Sequence, residues 1–172
     1  MVRSSTSKGI QSVSKHQGHP YPLVRSGGLF LVLIGAGIII DITLSGAFIV
    51  GAVFALISLM FAKVLSFGKP TRIQIIALAF AVILEIVLLM IMVNMLPAGM
   101  AIPIRLMWVL MIVGVHFLPM AVCFGPRFAI VGILCIVNAL AGLILSNVSG
   151  DPFLLVDGAL KVGFGVWLFK NP

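Results

Sequence analysis

Between Gly28 and Ala62 the chain carries a single charged residue, Asp41. A stretch this long and this apolar exceeds one membrane span of about 20 residues. Asp41 and the Ser45–Gly46 pair mark a tight turn within it. The stretch therefore reads as a helical hairpin, with one span over about 25–43 and a second over about 46–65.

The rest of the chain repeats the pattern. Of its residues 62% are hydrophobic and 9% are charged, whereas a soluble domain runs near half apolar and a quarter charged. A soluble fold of this size could not hide that much apolar surface, because small domains bury only about two-thirds of what the unfolded chain exposes. Lipid is the solvent that suits it. The fold class expected is an all-α polytopic bundle of six transmembrane helices, arranged as three hairpins and occupying residues 25–172.

Proline and glycine set the remaining borders. A third span runs over about 73–95 and stops before Pro97. Pro103 suits the opening turn of a fourth, over about 104–122. Gly125–Pro126 breaks the chain before a fifth span over about 127–145. Asp151–Pro152 reads as an N-cap followed by a first-turn proline, opening a sixth that ends near Phe169.

Charge gives an independent reading of the topology. The net charge is +7, from eleven Lys or Arg against four acids. With the N-terminus inside, Arg3, Lys8, Lys15, Arg25, Lys63, Lys69, Arg72, Arg127 and Lys170 all fall on the cytoplasmic side. Arg105, Asp41 and Asp151 fall outside. That is the positive-inside distribution for an even number of spans with both termini cytoplasmic. The cations flank apolar runs and form no stripe with interleaved aromatics, so nucleic acid is not an expected partner. The expected location is the cell membrane, as a multi-pass protein.

Residues 1–24 are polar, basic and free of acids, and read as a disordered cytoplasmic tail. An acid-free, Ser-rich start also fits an organelle transit peptide. His16 and His19 form an HxxH in that tail, but no third ligand accompanies them, so no metal is expected. Cys123 and Cys135 lack metal or CxxC spacing and read as small packing residues. No cofactor is implied. The GxSxG, HExxH and P-loop patterns do not occur, and an enzyme is not expected.

Ionisable or amide groups at membrane depth are the informative residues. On insertion scales a charged one costs about 2.5–3.5 kcal/mol at a helix centre. Glu85, His116, Asn138, Asp157 and Lys161 qualify. Glu85 follows Ala77 and Ala81 on one helical face, so it faces another helix, and a carboxyl group that exchanges protons there could carry them. A structural ion pair is the other reading. His116 lies in Gly114-Val115-His116-Phe117-Leu118-Pro119, where Pro119 cannot donate to the Val115 carbonyl. It is either a gate or relay or a histidine bonded to the freed carbonyl.

Asp157 and Lys161 stand in the favourable acid-before-base order at i, i+4. They neutralise each other, or else Lys161 is shared with Glu85 and Asp157 reaches outward. Asn138 would complete a midplane cluster or serve helix packing. Asp41 and Arg105 would stand at an outer mouth. Ala47, Gly51 and Ala55 form a small-residue stripe suited to close helix contact, and Trp108 and Trp167 fall toward opposite membrane faces.

The segment Trp108 to Pro119, above all Gly114 to Pro119, resembles the small bacterial membrane proteins grouped as domains of unknown function. The hairpin pattern also resembles, on Gly and apolar spacing, the six-span acid-resistance membrane protein family. Neither resemblance supplies a site residue, and the Asn-Pro-Ala signature of aquaporin-like channels does not occur. Two functions stay open: a small channel or proton-linked transporter passing a proton or small solute, without a cofactor and assembled as a homo-oligomer, and a non-transporting scaffold, stress or immunity protein. Passage requires the polar groups to converge on one cavity. Scaffolding requires each to be consumed by a neighbour.

Overall fold

The computed structural model describes residues 21–41, 53, 69–97, 99–145 and 150–171. They form five helices: α1 (Val24–Asp41), α2 (Arg72–Met95), α3 (Ile102–Phe124), α4 (Pro126–Ile144) and α5 (Asp151–Lys170). All five are long and apolar enough to cross a membrane. They match the first, third, fourth, fifth and sixth expected spans to within about two residues at most borders, the usual uncertainty of helix ends. The expected second span, with Ala47, Gly51, Ala55 and Lys63, lies outside the described residues, apart from the helical Val53.

Local chemistry explains the borders. Thr71 caps α2 through a capping box: the Gln74 amide N–H donates to Thr71 Oγ1 at 3.3 Å, and the Thr71 N–H donates to Gln74 Oε1 at 2.9 Å. Thr71→Ala removes one half of that exchange and is expected to lower stability by about 1 kcal/mol, read as a lower unfolding midpoint in detergent. α3 and α4 share one joint residue, Gly125, whose φ of +98° is a conformation that side chains with a Cβ rarely adopt. Pro126 then opens α4. At the start of α5 the structure corrects the expected cap: Gly150 is the N-cap, and Asp151 is the first helical residue with no side-chain cap bond. Its charge still suits the positive end of the helix dipole.

Glycine decides which helices meet. Gly28 and Gly35 lie seven apart on α1, and Gly158 and Gly165 lie seven apart on α5. A Cβ on Gly28 would stand 2.7 Å from the Gly165 carbonyl oxygen, and one on Gly165 would stand 2.6 Å from the Gly28 oxygen. Gly35 and Gly158 are reciprocal in the same way, at 2.6 and 2.9 Å. The first helix therefore lies antiparallel on the last, backbone against backbone, as small residues permit in membranes. A second such crossing joins α3 to α4, where Gly114 and Gly132 meet at 2.9 and 2.7 Å. α2 packs on α3, and α4 on α5.

The core between these seams is aromatic. Phe117, Phe124 and Phe128 are fully buried, with Phe117–Phe128 edge to face at 5.4 Å and Phe124–Phe128 stacked at 4.7 Å. One end of the bundle is tied by Arg127, which donates to the Asn171 carbonyl and stands 4.5 Å over the Trp167 ring. α2 is held at its start, where Gln74 Nε2 donates to the Val122 carbonyl at 3.4 Å and the Cys123 thiol donates to the Gln74 carbonyl at 2.8 Å. Elsewhere α2 shows its apolar side chains, with Met90 63% and Met95 77% exposed. Such an exposed apolar surface calls for lipid.

Candidate functional site

α1, α2, α3 and α5 surround a cavity of about 290 Å³. Its walls are apolar: Phe30, Ile34 and Ile38 from α1, Leu106, Val109, Leu110 and Val113 from α3, and Leu154 from α5. Four ionisable side chains also line it, one from each helix: Asp41, Glu85, His116 and Lys161. Asp41 ends α1, so with Leu106 and Leu154 it marks one end of the cavity. Glu85, His116 and Lys161 lie in the middle of their helices.

Each ionisable group is placed by its neighbours. Ala81, fully buried, brings α2 close to α3 one turn before Glu85. Glu85 Oε2 then stands 3.7 Å from His116 Nδ1, the glutamate side chain 28% exposed and the histidine 6%. That separation is too long for a direct hydrogen bond, and His116 Nδ1 is a buried nitrogen without a hydrogen-bond partner. α3 stays helical through Pro119. The His116 ring leans on Phe117, centroids 4.8 Å apart.

Lys161 is fully buried and donates to Asp157 Oδ2, also fully buried. The pairing is between successive turns of α5, so Lys161 is not shared with Glu85 through an ion pair, and Asp157 does not reach outward. The reason is geometric: α2 packs on α3, whereas α5 supplies its own carboxylate one turn away. Lys161 Nζ also lies 5.8 Å from the Phe117 ring centre. Asp157 Oδ1 has no hydrogen-bond partner, and Cys135, fully buried on α4, adjoins both members of the pair.

Two further sequence candidates lie elsewhere. Asn138 donates to the Phe153 carbonyl at 2.8 Å and joins α4 to α5. Arg105 donates to the Pro97 carbonyl at 3.0 Å. Neither is among the described residues that line the cavity. Sequence reasoning missed Cys135 beside the ion pair, for which no local signal exists. It also missed the Gln74–Cys123 tie, although Thr71-x-x-Gln74 is a legible capping box. Among the described residues, no group of three His, Cys, Asp or Glu could hold a metal.

Five apolar helices, four of them lining a cavity that holds ionisable groups, define a multi-pass membrane protein. The chain belongs to a family of unknown function, DUF6609, which matches residues 14–171. That agrees with the resemblance carried by Trp108 to Pro119. No curated protein and no solved structure matches the chain, so the likeness to the acid-resistance family gains nothing from these comparisons.

Proposed function

We propose that this protein is a small proton-linked passage protein whose path runs through the cavity, with Glu85 as the group that takes up and releases the proton. The observation that carries the reading is the convergence of Asp41, Glu85, His116 and Lys161, from four helices, on one cavity. A scaffold has no need to gather costly ionisable groups around a space. Glu85 is partly accessible, its side chain 28% exposed, and His116 is within one water of it. Asp157 and Asn138 serve assembly in this reading, the first by neutralising Lys161 and the second by joining α4 to α5. Six spans with cytoplasmic termini, the cell membrane and a homo-oligomer complete the proposal, because six short helices leave little room for a private pore.

The test is proton flux into liposomes holding a trapped pH dye. Wild type is expected to exceed empty liposomes, and Glu85→Gln to lose at least about 90% of that excess, since a positioned proton-transfer group contributes roughly 10²–10⁴-fold. Equal flux in both proteins removes Glu85 from the path. No flux under either polarity of potential counts against proton passage and favours the scaffold reading.

A further inference from the structure

An open furrow of about 440 Å³ runs along α5, apart from the cavity described above. Val156, Ala159, Leu160, Gly163, Phe164 and Trp167 line it. These positions recur every three or four residues, so they form one stripe of the helix. The floor is open at Gly163: among the described residues, nothing lies within 4 Å of a Cβ built there. From Val156 to Trp167 the helix rises about 16 Å, at roughly 1.5 Å per residue. That is half of a hydrocarbon core about 30 Å thick, the depth of one leaflet. The shape suits a single acyl chain lying along α5.

The end of the furrow differs from its walls. Trp167 stands there edge to face with Phe164 at 5.6 Å, and Arg127, from the start of α4, lies 4.5 Å over the Trp167 ring. Lys170 follows three residues later on the same stripe and is exposed. Arg127 donates to the Asn171 carbonyl, an uncharged partner that uses one of the five guanidinium donors. Aromatic rings and cations together are the mark of the headgroup level. The same end of the bundle gathers further cations. Arg25 opens α1, which runs antiparallel to α5, and Arg72 opens α2, whose Gln74 reaches Val122 near the end of α3. The chain's four acids lie elsewhere: Asp41 at the far end of α1, Asp151 at the far end of α5, and Glu85 and Asp157 inside helices. The furrow therefore leads from hydrocarbon into positive charge that no acidic side chain offsets.

We propose that this furrow is a docking site for an anionic phospholipid, with one acyl chain against Ala159, Gly163 and Phe164 and the headgroup phosphate within reach of Arg127 and Lys170. Hydrocarbon alone accepts any lipid, so the two cations set the preference. A headgroup of net negative charge gains fully from them, whereas a zwitterionic one brings a cation of its own. The site shares no lining residue with the cavity of Glu85 and His116 and does not depend on passage through it.

Trp167 is its own reporter. The chain has two tryptophans, and Trp108→Phe leaves Trp167 alone. This variant of the full chain is placed in phosphatidylcholine liposomes with a small fraction of lipid brominated on its acyl chains, carrying either a phosphatidylglycerol or a phosphatidylcholine headgroup. Bromine quenches a neighbouring indole. The phosphatidylglycerol form is expected to quench Trp167 at a mole fraction about fivefold lower, the effect of roughly one Lys or Arg at an anionic surface. Arg127→Gln with Lys170→Gln is expected to bring the two lipids level and to leave quenching by phosphatidylcholine unchanged, which also reports that the furrow is intact. Lys170→Gln alone, at an exposed position, is expected to remove part of the preference and keeps the test should the double variant misfold. Gly163→Leu fills the furrow and is expected to weaken quenching by both lipids. Equal quenching by the two lipids in the parent variant overturns the inference. The same preference read at Trp108 in Trp167→Phe overturns it too, since the attraction then belongs to the bilayer as a whole. Quenching of Trp167 by neither lipid also overturns it: protein then covers the furrow, either another segment of this chain or a second copy.

Discussion

Replacing Lys161 with methionine is expected to lower the stability of the folded bundle by about 3–5 kcal/mol, the range for removing one partner of a buried ion pair. The cause is Asp157, which is fully buried and keeps its carboxylate among apolar helices after its cation is gone. Asp157→Leu combined with Lys161→Met removes both charges and is expected to recover most of that loss, because an apolar pair of similar volume replaces the charges without leaving one exposed to hydrocarbon. Unfolding of the purified protein in mixed micelles, followed by circular dichroism, gives both values. A single variant within about 1 kcal/mol of wild type would mean that the pair is not the buried constraint described here.

The second large effect concerns the seam between α1 and α5. Gly35→Val is expected to cost at least the roughly 1–3 kcal/mol of an overpacked core, because its Cβ would stand 2.6 Å from the Gly158 carbonyl oxygen and 2.8 Å from the Lys161 Cβ. Backbone cannot move aside as a flexible side chain can. The two helices must separate, and the Lys161–Asp157 pair lies on the face that opens. Gly163→Ala is the control on the partner helix, α5: nothing among the described residues lies within 4 Å of the added Cβ. It is expected to be neutral, or to stabilise by up to about 1 kcal/mol through helix propensity. Equal losses in the two variants would show that the seam is not where the helices are held.

The five described spans were legible in the sequence because each is a property of its own stretch. Lipid requires about 20 apolar residues, and Pro97, Gly125–Pro126 and Asp151–Pro152 punctuate the runs where the helices end. The Asp157–Lys161 pair was legible for the same reason: a spacing of four puts both groups on one face of one helix. What failed was reasoning between helices. The alternative in which Lys161 is shared with Glu85 assumed that α2 meets α5, and no pattern in either helix specifies its neighbour. The information was present in Gly28, Gly35, Gly158 and Gly165, but a spacing of seven on two separate helices gains meaning only when they are laid together. The contact between Glu85 and His116 is equally non-local. The Asp151 cap failed on a single residue, since Gly150 takes the cap position and leaves the aspartate inside the helix.

The pairing of α1 with α5 also sets the order of events during synthesis. Of the helices described, α1 leaves the ribosome first, and its main partner leaves last. Until then the glycine face of α1 lacks the α5 backbone on which it rests. α3 and α4, joined at Gly125, can close on each other as soon as both are made. Among the described helices, the half-built protein is therefore an α3–α4 unit beside a first helix that lacks its main partner, and its assembly is completed by a contact between distant parts of the chain, the slow kind to form. A substitution that delays α5 lengthens the life of that intermediate, and membrane quality control then acts on a chain whose other helices are already in place.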